Sequence, residues 1–240
     1  MKVYFNNISR ISDAIITMYL SKRTWTPELN QEIIETCDRV FDKNGEYEVF
    51  YDTKDKEKVD DWINKLFKWG CKHTTMLRFI DMSFTIEGLH RGAQDDFDAH
   101  AKRLDNRIVR SSTRLATFGT EKSEFYQGKI VTTDEVLNML AYQLPERIDI
   151  NGRPFVKMEN GYIDEEFANN KDVMRGLYML SIPSNFIFKC NFTEWAHIVK
   201  ERDCNSHAAP ELQEMVEKVC DKLQSIFPQL TKEYWYSIRN

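Results

Sequence analysis

Residues 191–212 read NFTEWAHIVKERDCNSHAAPEL, and within them Asn191, Trp195, Ile198 and Arg202 recur at spacings of four, three and four. At 3.6 residues per turn these spacings return to nearly one angle, so the segment is constrained to a helix with a single stripe. The stripe begins in an amide and ends in a guanidinium, roughly 16 Å away at 1.5 Å per residue. That separation is long for one small ion and suits an extended ligand. Leu212, Met215, Val219, Leu223 and Ile226 continue the helical spacing up to Pro228, so the C-terminal third is expected to be helical.

Upstream, the periodicity changes repeatedly. A short strand is expected at Val3 to Phe5, then a helix carrying Ile8, Ile11, Ile15 and Met18. A second helix opens with Thr26 as N-cap and Pro27 at its first position, with Leu29, Ile33 and Val40 on the core face. Tyr47, Val49 and Tyr51 alternate as in a strand; Val59, Ile63 and Leu66 mark a helix ending near Gly70. Ile80, Met82, Phe84 and Ile86 alternate again, and Ala93, Phe97, Ala101, Leu104 and Ile108 predict one long helix directly after that strand. Asn151-Gly152, between RIDI and RPFVKM, signals a hairpin. The fold class is α/β (α+β), helix-rich with a central mixed sheet. With no repeat or Gly/Ser linker, residues 1–240 read as a single domain carrying an insertion at about 116–170.

Composition narrows the function. A chain with 42% hydrophobic residues and six prolines folds around a core. A net charge of −5 and a pI near 5.6 give no general attraction to nucleic acid or anionic lipid, so any phosphate must meet a local cationic cluster. No nucleic-acid polymer and no membrane is expected as partner; small molecules are. The five cysteines are scattered without a CxxC pair, which reads as reduced and cytoplasmic. Cys71 with His73, or Cys204 with His207, lacks a second ligand pair, so no metal site is expected. The N-terminus has no targeting h-region, and the longest apolar run is too short to span a bilayer.

The motifs GxGxxG, GxxxxGK[ST], GxSxG and HExxH are missing, so a dinucleotide, if bound, is held in another way. The pattern N-x3-W-x-H-x4-R at Asn191 to Arg202, followed by H-A-x-x-E from His207 to Glu211, resembles the C-terminal signature of the flavin-dependent thymidylate synthases. That family methylates dUMP without a protein nucleophile. Its Gly-His-x-Ser turn, F-x-F strand and Ser-Arg-Ala helix start are echoed by Gly70, His73 and Thr75, by Met82 and Phe84, and by His90-Arg91. In the family's R-H-R-x2-S-x-N-x2-S-x-R-Y pattern, His100 and Asn106 take the His and Asn. Ala99 and Ala101 replace the flanking arginines, and Ser112-Thr113-Arg114-Leu115 comes three residues late. The resemblance covers roughly residues 70 to 115 and 175 to 228.

It implies FAD as cofactor, dUMP as substrate, methylenetetrahydrofolate and NADPH as co-substrates, and a homotetramer with sites between subunits. It also implies roles for individual residues. Arg202 would stabilise charge on the pyrimidine, and Ser112, Arg114, Arg110 and Arg175 would bind substrate. His73, Thr75, Arg78, His100, Asn106, Asn191 and His197 would bind cofactor. Each residue also has a plainer reading. Trp195 and Ile198 read as core, and Arg202 as an ion pair or a helix C-terminal charge. His73 reads as a cap, His100 and His197 as ordinary helix-face histidines, and the run RLDNRIVRSSTR as a solvated face. Arginines with serine hydroxyls nonetheless match what a nucleotide phosphate needs, so at least one of Arg110 and Arg114 is expected on it. Two alternatives remain open. One is a divergent homologue that keeps flavin and a pyrimidine nucleotide but transfers another one-carbon group. The other is a non-catalytic helical interaction protein.

Overall fold

The computed structural model describes residues 1–100, 106–110, 145–158, 161–168, 183–203 and 208–238. Two compact units emerge, the larger formed by Lys2–Ile86, Asp95–Val109 and Phe186–Asn240. Strand β1 (Lys2–Ile8) leads to helices α1 (Ile11–Ser21), α2 (Pro27–Val40) and α3 (Thr53–Gly70), then a 3-10 turn (Thr74–Phe79), strand β2 (Asp81–His90) and helix α4 (Arg91–His100). Strand β3 (Asn106–Arg110) follows. Strands β4 (Arg147–Ile150), β5 (Arg153–Met158) and β6 (Gly161–Asp164) precede a helical turn α5 (Glu165–Ala168). Strand β7 (Pro183–Asn191) passes without a loop into α6 (Phe192–Arg202), and α7 (Pro210–Ile226) and α8 (Lys232–Ser237) complete the chain.

One sheet has the order β1-β2-β7-β3. Ser9, just after β1, donates its N–H to Asp81 at the start of β2, and Phe192, just after β7, donates to Ile80. Chain ends meet chain starts, so β2 runs antiparallel to both neighbours. Met82, Phe84 and Ile86 lie on its fully buried face. Across that face Phe5 meets Phe84 at 5.5 Å, Phe84 stacks on Phe188 at 5.6 Å, and Phe188 stacks on Trp195 of α6 at 5.8 Å. The aromatic row pins α6 to the sheet. Beyond it Phe192 stacks on Phe67 of α3 and meets the edge of Trp235 of α8. The opposite face of the sheet is polar: the Asn6 amide donates to the Thr85 hydroxyl at 3.0 Å.

Helix starts follow their caps. Thr26 Oγ1 accepts from Leu29 N–H at 3.1 Å with Pro27 in the first turn, and Asp52 Oδ1 accepts from Lys54 N–H at 2.7 Å. Ile33 and Val40 are buried as expected, while Leu29 is only half-buried. Gly70 closes α3 where a Cβ would lie 2.8 Å from Leu77 Cδ2, so its missing side chain lets the 3-10 turn sit against the helix.

Three expectations are corrected. Ile8 ends β1 and does not begin α1. Tyr47 to Tyr51 is not a strand: Tyr47 makes one isolated bridge to Phe41, its hydroxyl is tied to Asp60 at 2.5 Å, and Val49 and Phe50 are 83% and 92% exposed. Alternation alone cannot make a strand without a partner strand beside it. The long helix over Ala93 to Ile108 is instead α4, ending at His100, with Ile108 in strand β3. Asn-Arg-Ile-Val-Arg is β-branched in its middle, and pairing in the sheet overrides the helical spacing.

The smaller unit comprises Met1, Glu87–Gln94 and Arg110–Asn185. The expected insertion lies inside it, and its described part is the antiparallel meander β4-β5-β6. Asn151 and Gly152 have φ of 56° and 79°, the left-handed pair that a two-residue hairpin turn of matching twist demands. Asp149 Oδ1 accepts from Gly152 N–H at 2.8 Å.

Since Trp195 is fully buried between sheet and helices, Trp195→Ala should destabilise the protein by about 3 to 5 kcal/mol, the usual loss for a buried large aromatic. Trp195→Phe, which keeps a ring against Phe188, should lose clearly less. Urea unfolding followed by circular dichroism measures both, and equal losses would show that ring stacking does not hold α6.

Candidate functional site

The β7-to-α6 junction answers the stripe's geometry. Asn191 is the last residue of β7 and the N-cap of α6, with φ −89° and ψ 168°, and its Oδ1 accepts from Glu194 N–H at 2.9 Å. Its oxygen is therefore spent on the helix start, which corrects the picture of an amide displayed on a helical face. Trp195 and Ile198 are core, at 0% and 3% exposure. The stripe ends in Arg202, buried at 8%.

Burying a guanidinium requires partners. Arg202 Nη1 donates to the Glu201 carbonyl at 2.9 Å, and Nη2 donates to Asp96 Oδ1 of α4 at 3.3 Å. Nε is buried with no hydrogen-bond partner among the described residues. A donor held out of water without an acceptor is costly. Sequence reasoning missed Asp96. It lies 106 positions from its partner, and the only signal for it was that a buried arginine needs some carboxylate.

The residues of the 3-10 turn come to the other end of α6. Thr193 Oγ1 donates to the Thr74 carbonyl at 3.2 Å, and Phe192 N–H donates to Ile80. His73, Thr75 and Arg78 are exposed there, beside Phe79 at 51% exposure, while Met76 and Leu77 point into the core. His73 lies on the Trp69 ring with centroids 4.5 Å apart. This stretch thus exposes a guanidinium, a hydroxyl and an imidazole close together in sequence. His197 is half-buried on α6.

Other expected residues stand apart. Arg110 is half-buried at the end of β3 and donates from Nη2 to the Gln94 carbonyl at 2.8 Å, within the smaller unit. His100 closes α4 and Asn106 opens β3, not one continuous helix, so their six-residue spacing does not place them on one helical face. Ser112, Arg114 and Arg175 lie outside the described residues. Among the described cysteines all are free thiols, and burial pushes Cys37 and Cys220 up to about 12. Such thiols stay protonated at neutral pH and supply no thiolate nucleophile. Among the described residues no cluster of three or more His, Cys, Asp or Glu is placed to hold a metal ion. No described helix is long and apolar enough to cross a membrane.

The architecture, a helix-rich α/β protein with an antiparallel sheet, is shared by known proteins. It is similar to the flavin-dependent thymidylate synthase ThyX from Helicobacter pylori, complexed with FAD and dUMP, at a TM-score of 0.52 and 13% identity over 100% of both chains. It is also similar to the UMP/dUMP methylase PolB from Streptomyces cacaoi, bound with 5-Br dUMP, at a TM-score of 0.55 and 14% identity over 99% of this chain and 95% of that one. No curated protein matches the sequence. The family model of Thy1, the thymidylate synthase complementing proteins, matches residues 23–229, and the chain belongs to this family.

His90, immediately before α4, accepts the Ala93 N–H on Nε2 at 3.1 Å and caps the helix as a neutral imidazole. Burial holds it below its ordinary value of 6.5. The unfolded chain thus takes up the proton first as pH falls, so this stability is present above about pH 6.5 and is lost below it. The melting temperature should drop on acidification below that point. His90→Asn keeps a capping acceptor but has nothing to titrate, and should flatten this part of the profile; an unchanged acid limb would exclude His90 as its source.

Proposed function

We propose that this protein is a flavin-dependent thymidylate synthase that converts dUMP to dTMP by reductive methylation, using methylenetetrahydrofolate and FAD reduced by NADPH. The observation that carries the reading is the family match across residues 23–229, and the buried guanidinium of Arg202 with its unpartnered Nε supports it. When bound, FAD supplies the reducing equivalents for the transferred one-carbon unit. His73, Thr75 and Arg78 fit its pyrophosphate and ring system, with His197, His100, Asn106 and the Asn191 amide N–H groups as further contacts. Arg202 aims N–H groups at negative charge developing on the pyrimidine, in a setting where burial strengthens the interaction. Arg114 and Ser112, with Arg110 and Arg175, clamp the nucleotide phosphate.

A second reading has its own support. Ala99 and Ala101 replace two arginines of the family pattern, and one structural relative is a UMP/dUMP methylase. On that reading the pyrimidine nucleotide is UMP as well as dUMP.

Protein heated to release its ligands should leave flavin in the supernatant, or added FAD should raise the melting temperature, as any ligand of the folded state does. Incubation of the FAD-loaded protein with NADPH, methylenetetrahydrofolate and dUMP should then give dTMP by mass. Flavin binding without a product from either dUMP or UMP would remove the synthase reading.

Assembly is part of the proposal. An FAD, a nucleotide and a folate are much ligand for 240 residues without a dinucleotide-binding motif, and subunit interfaces supply clefts. Light scattering should give a mass near four subunits, whereas a monomer that still binds flavin would refute shared sites.

A further inference from the structure

A cleft of about 760 Å³, lined by none of the residues assigned above, opens where β1 passes into α1. Part of its lining is apolar: Ile8, Cys37, Phe41 and Phe227 are all buried. The turn of residues 42–46 is held against β1, with Ile8 N–H donating to the Asn44 carbonyl at 2.8 Å. Gly45, at φ 81°, comes so close that a Cβ would lie 2.7 Å from the Ile8 carbonyl oxygen. Ser12, in the first turn of α1, lines the same cleft; it is 1% exposed, and its Oγ has no hydrogen-bond partner among the described residues. No side chain caps that turn, and Asp13 N–H meets the Arg10 carbonyl only at 3.4 Å. The start of α1 thus holds a hydroxyl that the fold does not satisfy, beside the positive end of a helix.

We propose that this cleft binds a small molecule with one carboxylate and an apolar body, the carboxylate at the start of α1 and the body against Phe41 and Phe227. A buried hydroxyl without a partner costs stability, and a carboxylate accepting from Ser12 Oγ removes that cost while meeting the helix dipole. Charge narrows the class further. Arg10, Lys43 and Lys189 line the cleft; Arg10 is paired with Asp38 and Lys189 with Asp81, and Lys43 is exposed. Asp42 spends its Oδ1 on the Asn44 and Glu46 N–H groups. Asp13 and Glu48 line the cleft as well, and they oppose a doubly charged phosphate more than a singly charged carboxylate. The volume lies within the range of small-molecule pockets. No residue of the cleft enters the proposed synthase reaction, so its ligand is additional to FAD and the nucleotide.

The test is isothermal titration of phenylacetate into the full chain, with FAD and dUMP present in excess so that the proposed flavin and nucleotide sites are filled. Phenylacetate should bind saturably. Its neutral counterpart phenylethanol should bind about tenfold more weakly, the scale of a lost hydrogen bond to a charged group, and phenyl phosphate should also bind more weakly. Ser12→Ala should weaken phenylacetate about tenfold and keep wild-type circular dichroism, because the deleted hydroxyl bonds no described residue. Where Ser12→Ala does not fold, Ser12→Cys, whose thiol is a weak donor, carries the same expectation. Absence of saturable binding by phenylacetate overturns the site, as does full affinity in the folded Ser12 variants. Phenylethanol or phenyl phosphate binding as tightly as phenylacetate overturns the carboxylate assignment.

Discussion

The stack of Phe188 on Trp195, at 5.8 Å and nearly parallel, is the contact on which the candidate site depends. Phe188 belongs to β7 and Trp195 to α6, and no loop separates the two elements, because Asn191 both ends the strand and caps the helix. Once the indole is seated against the sheet, the helix has no freedom to rotate or slide. Everything on α6 is then fixed at 1.5 Å per residue, including Arg202 two turns beyond Trp195. The head of the same helix receives the 3-10 turn through Thr193 and Phe192. Both ends of the candidate site are thus set by one packed junction.

Charge placement separates Arg202 from the other ion pairs. Arg10 with Asp38 and Arg147 with Glu165 are exposed pairs, and solvent screening leaves such contacts little net effect on stability. Arg202 is different because it is only 8% exposed in the folded chain. The protein bears most of the desolvation cost of that charge in the folded state, whether or not a ligand is present. A stabilising role alone would favour an apolar side chain at this position, since well-packed hydrophobic residues often replace buried ion pairs at no loss.

Much of the fold was legible because local chemistry dictated it. Thr26-Pro27 started a helix, Asn151-Gly152 turned a hairpin, and Met82, Phe84 and Ile86 marked a buried strand face. The failures were places where tertiary pairing decided between equal local patterns. Ile108 fits a helical repeat, yet lies in a strand paired within the sheet. Tyr47, Val49 and Tyr51 alternate, but among the described residues Tyr47 makes only an isolated bridge to Phe41. At the site, the helix stripe and the burial of Arg202 could be read from spacing. That Asn191 spends its oxygen as a cap could not, because the N-cap lies on the same angular stripe as the helix it starts. Asp96 was invisible for another reason: contact across 106 residues leaves no trace in local periodicity.

The acidity of α4 bears on how the nucleotide would be held. RGAQDDFDAH places Asp95, Asp96 and Asp98 against the single cation Arg91, while alanines occupy positions 99 and 101. An anion approaching this helix meets carboxylates, so on the proposed reading the phosphate must be neutralised from elsewhere. Arg110 gives one donor to the Gln94 carbonyl, and on the proposed reading it is one of the cations on the phosphate. Arg114, later in the sequence, is the other.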